Sequence, residues 1–138
     1  MIKIKYDMNI IKFISLFENI TRSKVKDCFE QEERLVFVVQ EGEIGKAIGK
    51  KAVNVKRIET MIKKKIRIIE FNQDMIEFIK RVIFPIKARN IEHKDNTITI
   101  TSPDSNSRGL LIGKNAKVLR NNESIVKRYF ELDEIKVV

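Results

Sequence analysis

One cysteine, one histidine and no long apolar run remove several protein classes from consideration for this 138-residue chain. Cys28 alone closes no internal disulfide and builds no thiolate metal cage, so it reads as a small apolar residue. His93 stands apart from any Cys, or Ser and Asp, with which it could form a nucleophilic group, and is expected in a polar turn over 93–96. The acids at 30–33 lack calcium-loop spacing, so no enzyme, cofactor or metal site is expected. No apolar stretch approaches the roughly 18 to 20 residues of a membrane span. Residues 1–6 alternate like a strand instead of resembling a signal peptide, so a cytoplasmic protein with no membrane partner is expected.

What is abundant is positive charge, and it is segregated. The net charge is +9, and residues 46–67 hold nine Lys/Arg against one acid, Glu59. Residues 27–43 run the other way, with six acids opposed only by Arg34. The pattern predicts a basic face suited to a polyanion and an acidic face available to a protein.

The chain also repeats itself. Ile48-Gly49-Lys50-Lys51-Ala52 returns 64 residues later as Ile112-Gly113-Lys114-Asn115-Ala116, and Gly45, Lys63 and Lys64 match Gly109, Lys127 and Arg128 at the same offset. Around these segments the hydrophobic periodicity predicts the same order twice: helix, strand, strand, short helix, turn, longer helix, strand. In the first copy a helix capped by Asp7 carries Ile10, Ile11, Ile14 and Phe17. Strands follow at 25–29 and 35–39, then a short helix, a helix over 52–64 and a strand at 66–71. In the second, a helix over 74–84 is stopped by Pro85. Strands at 86–91 and 97–101, a helix over 117–130 and a strand at 135–138 complete it. Phe13, Phe17, Phe37, Phe78 and Phe84 fit the apolar stripes and are expected in the core.

A Gly-Lys turn opening a helix suits a phosphate, because glycine lets the backbone bend sharply and the unpaired amides beyond it attract an anion. Two such turns suggest a strand of phosphates. They are not Walker loops, since the G-x-x-x-x-G-K-[ST] spacing is missing.

The order of elements, with Ile-Gly-Lys-x-x between two helices, resembles the type II KH domain, and two copies head to tail resemble the archaeal NusA-like transcription factors. The strongest match lies at 45–57 and a weaker echo at 109–117. The resemblance implies an α+β fold of two tandem type II KH domains, 1–73 and 74–138, each a small mixed three-stranded sheet packed on helices. It further implies that about four nucleotides of single-stranded RNA lie in a groove with the loop against their backbone. The loops would be Gly49-Lys50-Lys51-Ala52 and Gly113-Lys114-Asn115-Ala116, both departing from GxxG by an alanine at the fourth position, where a helical backbone is expected.

On that footing Gly49 and Gly113 supply the close backbone approach, and Lys50, Lys51 and Lys114 add charge. Lys46, Lys56, Arg57, Lys117 and Arg120 follow the sugar-phosphate chain, Asn54 and Asn115 offer neutral hydrogen bonds, and Ile48 and Ile112 are either the wall under a base or core. Lys63, Lys64 and Lys65 read as a solvated helix end. No aromatic residue falls in either loop, so recognition by backbone charge and groove shape is expected over stacking. The function so implied is contact with a nascent transcript in termination or antitermination, with the acidic face a candidate contact for RNA polymerase. An RNA chaperone or ribosome-assembly factor, a protein scaffold with degenerate loops, and a binder of single-stranded DNA are the alternatives.

Overall fold

The computed structural model describes residues 8–138, which fall into two compact units, 8–72 and 73–138. The strand expected at 1–6 and the Asp7 cap lie outside the described residues.

In the unit 8–72, helix α1 (Met8–Thr21) leads into a hairpin of β1 (Val25–Gln31) and β2 (Arg34–Val39), followed by α2 (Ile44–Ile48), α3 (Val53–Ile62) and β3 (Lys65–Glu70). β2 lies in the middle of the sheet, antiparallel to β1 and parallel to β3, and its apolar run Leu-Val-Phe-Val-Val is buried throughout, as a central strand requires. Alternation turns Leu35, Phe37 and Val39 toward the helices, where they meet Phe17 of α1, Ala47 of α2 and Ile58 of α3. Phe17 and Phe37 are fully buried and stack with centroids 4.2 Å apart.

The unit 73–138 repeats this topology. Helix α4 (Met75–Ile83) precedes β4 (Asn90–Lys94), β5 (Thr97–Thr101), α5 (Ser105–Ile112), α6 (Lys117–Lys127) and β6 (Glu134–Val137), with β5 central, antiparallel to β4 and parallel to β6. Its apolar side chains close around a void of only about 10 Å³ lined by Ile79, Val82, Ile100, Leu111, Val126 and Ile135 among others. That leaves room for one water at most, so the core is filled.

Helix and strand are also tied by a repeated polar latch. The Glu59 carboxylate on α3 accepts the main-chain N–H of Ile66 in β3 (2.9 Å), and Glu123 on α6 accepts that of Ile135 in β6 (2.8 Å). Each satisfies an amide that the sheet leaves unpaired where the chain returns from helix to parallel strand. Glu18 does the same for Val25 at the start of β1 (2.9 Å).

Several element boundaries differ from the expectation. The strand expected at 86–91 starts only at Asn90, because Pro85 follows α4 and the Ile86 amide turns back to the Ile83 carbonyl (3.0 Å); the chain first reaches β5 at Arg89, whose N–H donates to Thr101 (2.8 Å). The turn expected at 93–96 narrows to Asp95-Asn96, both left-handed, the two-residue hairpin geometry such residues tolerate. His93 and Lys94 therefore belong to β4. The first hairpin tightens likewise to Glu32-Glu33. Helix α3 stops at Ile62, with Lys63 left-handed at φ 57°, and α6 stops at Lys127. Phe84 is not core: it caps α4 in an extended conformation (ψ 137°), which takes its ring off the apolar stripe and leaves it 72% exposed.

Replacing Phe37 by Ala removes one partner of the buried ring stack from the central strand. A loss of about 3–5 kcal/mol in unfolding free energy is expected, measured by urea denaturation.

Candidate nucleic-acid interface

The two Gly-Lys segments fold into nearly superimposable corners. Gly49 has φ 77°, ψ 170° and Gly113 φ 73°, ψ 176°, a combination open essentially to glycine alone. A side chain is also excluded by packing: a Cβ on Gly49 would lie 2.9 Å from Asn54 Nδ2, and one on Gly113 would lie 2.5 Å from Val118 Cγ2 and 3.0 Å from the Val118 amide. Next come a lysine and then two consecutive left-handed residues, Lys51 (φ 54°) and Ala52 (57°) in one corner, Asn115 (56°) and Ala116 (60°) in the other. This corrects the expectation that the fourth position is helical. Both alanines are left-handed, because the chain must reverse its curvature before α3 and α6 can begin at Val53 and Lys117.

Each corner satisfies its closing bonds internally. The Ala52 amide donates to the Gly49 carbonyl (3.2 Å), Ala116 donates to Gly113 (3.3 Å), and the glycine amides close α2 and α5 on Gly45 and Gly109 (3.0 and 2.8 Å). The amides of Lys50 and Lys51, and of Lys114 and Asn115, have no partner among the described residues. Two adjacent N–H donors without acceptors at a glycine corner form a small anion-accepting surface, and the chain builds it twice.

The flanking side chains divide into unpaired and engaged. Lys50, Lys51, Lys56 and Arg57 are exposed, as is Lys114, and none makes an ion pair among the described residues. Lys46 is exposed but lies 3.4 Å from Glu43, whose carboxyl is held below its usual range by the Lys24 main-chain N–H and, secondarily, by Lys46. Asn54 donates to the Lys46 carbonyl (2.8 Å), so its amide group pins the end of α2 to the start of α3; it acts on the corner from behind. Val118 occupies the matching place in the second copy. Lys117 is exposed at the start of α6, and Arg120 is drawn to Glu123 at 2.9 Å. Arg67, counted in the basic window, is withdrawn from it: burial, then the charge of Arg34, lowers its pKa to about 10.

Apolar side chains border both corners. Ile48 is 36% exposed while its neighbour Ala47 is fully buried, which removes Ile48 from the core. Ile112 is half-buried, with Leu111 beneath it in the core. Val53 (53% exposed), Leu110 (57%) and Val118 (40%) extend these surfaces. The sequence reading passed over all three, because at helix ends the apolar stripe no longer tells which residues turn outward.

The acids of 27–43 do not form one solvated face. Asp27 is fully buried, Glu30 pairs with Lys64 at 2.9 Å, Glu41 accepts from Asn72, and Glu43 is engaged as described. The run is spread over β1, the Glu32-Glu33 turn and the loop after β2, with Glu30, Glu32, Glu33 and Glu41 exposed.

Gly49→Ala and Ala52→Gly are expected to act in opposite directions on stability. The first forces a side chain into a glycine-only conformation against Asn54 and lowers unfolding free energy by about 1–3 kcal/mol. The second relieves a left-handed alanine and raises it by up to about 1 kcal/mol; thermal unfolding of the two variants reads both effects.

Comparison with known proteins places this geometry. The sequence pattern of the KH domain matches residues 13–82. The chain is 32% identical to the "Probable transcription termination protein NusA" of Methanocaldococcus jannaschii over its whole length and 77% of the relative, and 35% identical to the protein of that name from Methanococcus vannielii over 99% of the chain and 80% of the relative. In fold it is similar to the crystal structure of APE1850, with a TM-score of 0.79, 24% identity, and coverage of 96% of this chain and all of that one. With the pattern matched over half of its residues and these relatives aligned along nearly all of them, the chain belongs to the archaeal NusA-like KH-domain proteins.

Proposed function

We propose that this protein binds single-stranded RNA through the two glycine corners, each serving as the backbone-holding loop of one KH domain. The division is 1–73 and 74–138, with the second unit a KH domain of the same type II topology as the first. The observation that carries this reading is the pair of adjacent unpaired amides at each corner, set beside exposed lysines and an apolar border. Amides and lysines suit the phosphates, and Ile48, Val53, Ile112 and Leu110 offer apolar surface to the bases. Gly49, Lys50, Lys51, Ala52, Lys56 and Arg57 form the first contact set. Gly113, Lys114, Asn115, Ala116 and Lys117 form the second, with Lys46 and Arg120 at the rims and Asn54 as a positioning residue. The left-handed alanines support binding-competent loops over a degenerate scaffold, because they hold the same backbone in both copies.

The names of the relatives favour a role in transcription termination or antitermination, with the nascent transcript as target. RNA polymerase is the corresponding protein partner. The acids of 27–43 that stay exposed, Glu30, Glu32, Glu33 and Glu41, are the candidate surface for it, with the buried Asp27 excluded.

If about three to five phosphates are neutralised, the logarithm of affinity for a short single-stranded RNA falls against the logarithm of salt with a slope of roughly −2 to −3.5. Lys50→Asp with Lys51→Asp is expected to weaken binding about tenfold or more at low salt, with the fold retained. Lys114→Asp should weaken it less, because the second corner has fewer uncompensated cations. Fluorescence anisotropy with RNA and with DNA of the same sequence measures all three. Unchanged affinity in the double variant would favour the scaffold reading, and equal affinity for both polymers would put single-stranded DNA on the same footing as RNA.

A further inference from the structure

Beyond the first corner, Lys56, Glu59 and Thr60 of α3, Lys63 and Lys64 just past its end and Lys65 at the start of β3 line an open recess of about 400 Å³. Lys56 and Thr60 lie one turn apart on one face of α3, and Lys63 follows where the helix ends, left-handed at φ 57°. The recess is not charge-balanced. Its one carboxylate, Glu59, is committed to the Ile66 amide (2.9 Å) and lies 4.0 Å from Lys65; Lys64 is committed to Glu30 (2.9 Å). Lys56 and Lys63 are exposed and make no ion pair among the described residues.

The internal repeat provides the control. On α6 the same positions hold Arg120, Glu123 and Lys127, and there the glutamate takes both cations, at 2.9 and 3.7 Å. Cations that serve only to solvate the end of a helix need no such difference. The two copies share the glutamate, its latch to the following strand and the two flanking cations, but only in the first do both cations stay open.

We propose that this recess is a second phosphate-binding surface, which takes the nucleotides flanking those held at the Gly49 corner and so lengthens the RNA footprint of the first unit alone. The inference rests on the corner-binding reading above. A strand leaving the corner meets Lys56 first and then reaches Lys63, the left-handed residue that ends α3, and Lys65, the first residue of β3. Thr60 donates to the Lys56 carbonyl (2.9 Å), which leaves its hydroxyl oxygen as an acceptor on the recess floor for a ribose hydroxyl. Glu59 limits how deep an anion can sit, so the surface suits a phosphodiester passing over it more than a single buried phosphate.

The test uses the full chain, with oligouridylates of 4 and of 10 nucleotides as probes. Lys63→Gln with Lys65→Gln is expected to leave affinity for the 4-mer unchanged and to lower affinity for the 10-mer about 25-fold at 0.1 M salt, with a salt slope shallower by about 1.4, from about 0.7 per contact. Lys127→Gln in α6 should change neither, and circular dichroism confirms that each variant is folded. A 10-mer affinity and slope equal to those of the unsubstituted protein overturn the recess while leaving the corners intact, as does an equal loss for both lengths, which marks a general field effect. If the unsubstituted protein binds neither oligomer, both readings fall.

Discussion

Everything at this interface follows from one steric constraint: the residue between α2 and α3, and again between α5 and α6, can carry no side chain. The following helix begins so close behind that a Cβ would strike Asn54 in one copy and Val118 in the other. With the side chain gone, the backbone takes φ near +75° and ψ near 170°, and the next two amides turn away from the helix that would otherwise have consumed them. The unpaired donors are thus a consequence of close helix packing. Two different side chains, a polar pin and an aliphatic wedge, enforce the same corner, so the corner geometry does not depend on either one's chemistry.

A second constraint fixes where the corner points. The helix that follows it is tied at its far end by a glutamate to the first amides of the returning strand, and the sheet is in turn held to the helices by the central strand. The corner is therefore mounted on a helix anchored at both ends. Such mounting would favour the proposed binding, because a loop held rigid beforehand gives up little conformational entropy on engaging a ligand. The same glutamates also set the electrostatics. Glu123 draws Arg120 and Lys127 to itself, while Glu59, near only Lys65, leaves the matching Lys56 and Lys63 open.

Element order and type were legible in the sequence because apolar periodicity and punctuation agreed: the run of buried residues in β2, the alternation of Thr97–Thr101 and the stripes of α4 and α6 each had one reading. The corners were legible because the motif recurs. What escaped depended on information that spacing does not carry. The left-handed state of Ala52 and Ala116 runs against the preference of alanine, and only the need to reverse direction before the next helix imposes it. Phe84 was placed in the core by periodicity, yet it lies one residue past the last helical turn, where periodicity has ceased to apply. Glu59 was counted as a stray acid in a basic window, since a latch to a main-chain amide leaves no mark on composition. The acidic run of 27–43 is thinner than its composition suggests, because Asp27 is buried and Glu30 and Glu41 bond to Lys64 and Asn72 far along the same chain.

The placement of the aromatic residues bears on the proposed mode of recognition. Phe17, Phe37 and Phe78 are fully buried, and Phe84, though exposed, ends α4 and belongs to neither corner segment. The side chains bordering the corners are isoleucine, leucine and valine, which offer bases a flat apolar contact without the π-face that gives aromatic platforms about 1–3 kcal/mol per base. Groups able to meet phosphates, by contrast, are present in both side-chain and main-chain form. If the proposed interface holds RNA, such a weighting favours backbone charge and shape, with affinity that would depend steeply on salt and only modestly on sequence. On the reading proposed above, selectivity for a particular RNA would come from how many consecutive phosphates the surface can follow, and so from the length of the basic track that runs from α3 to the start of β3.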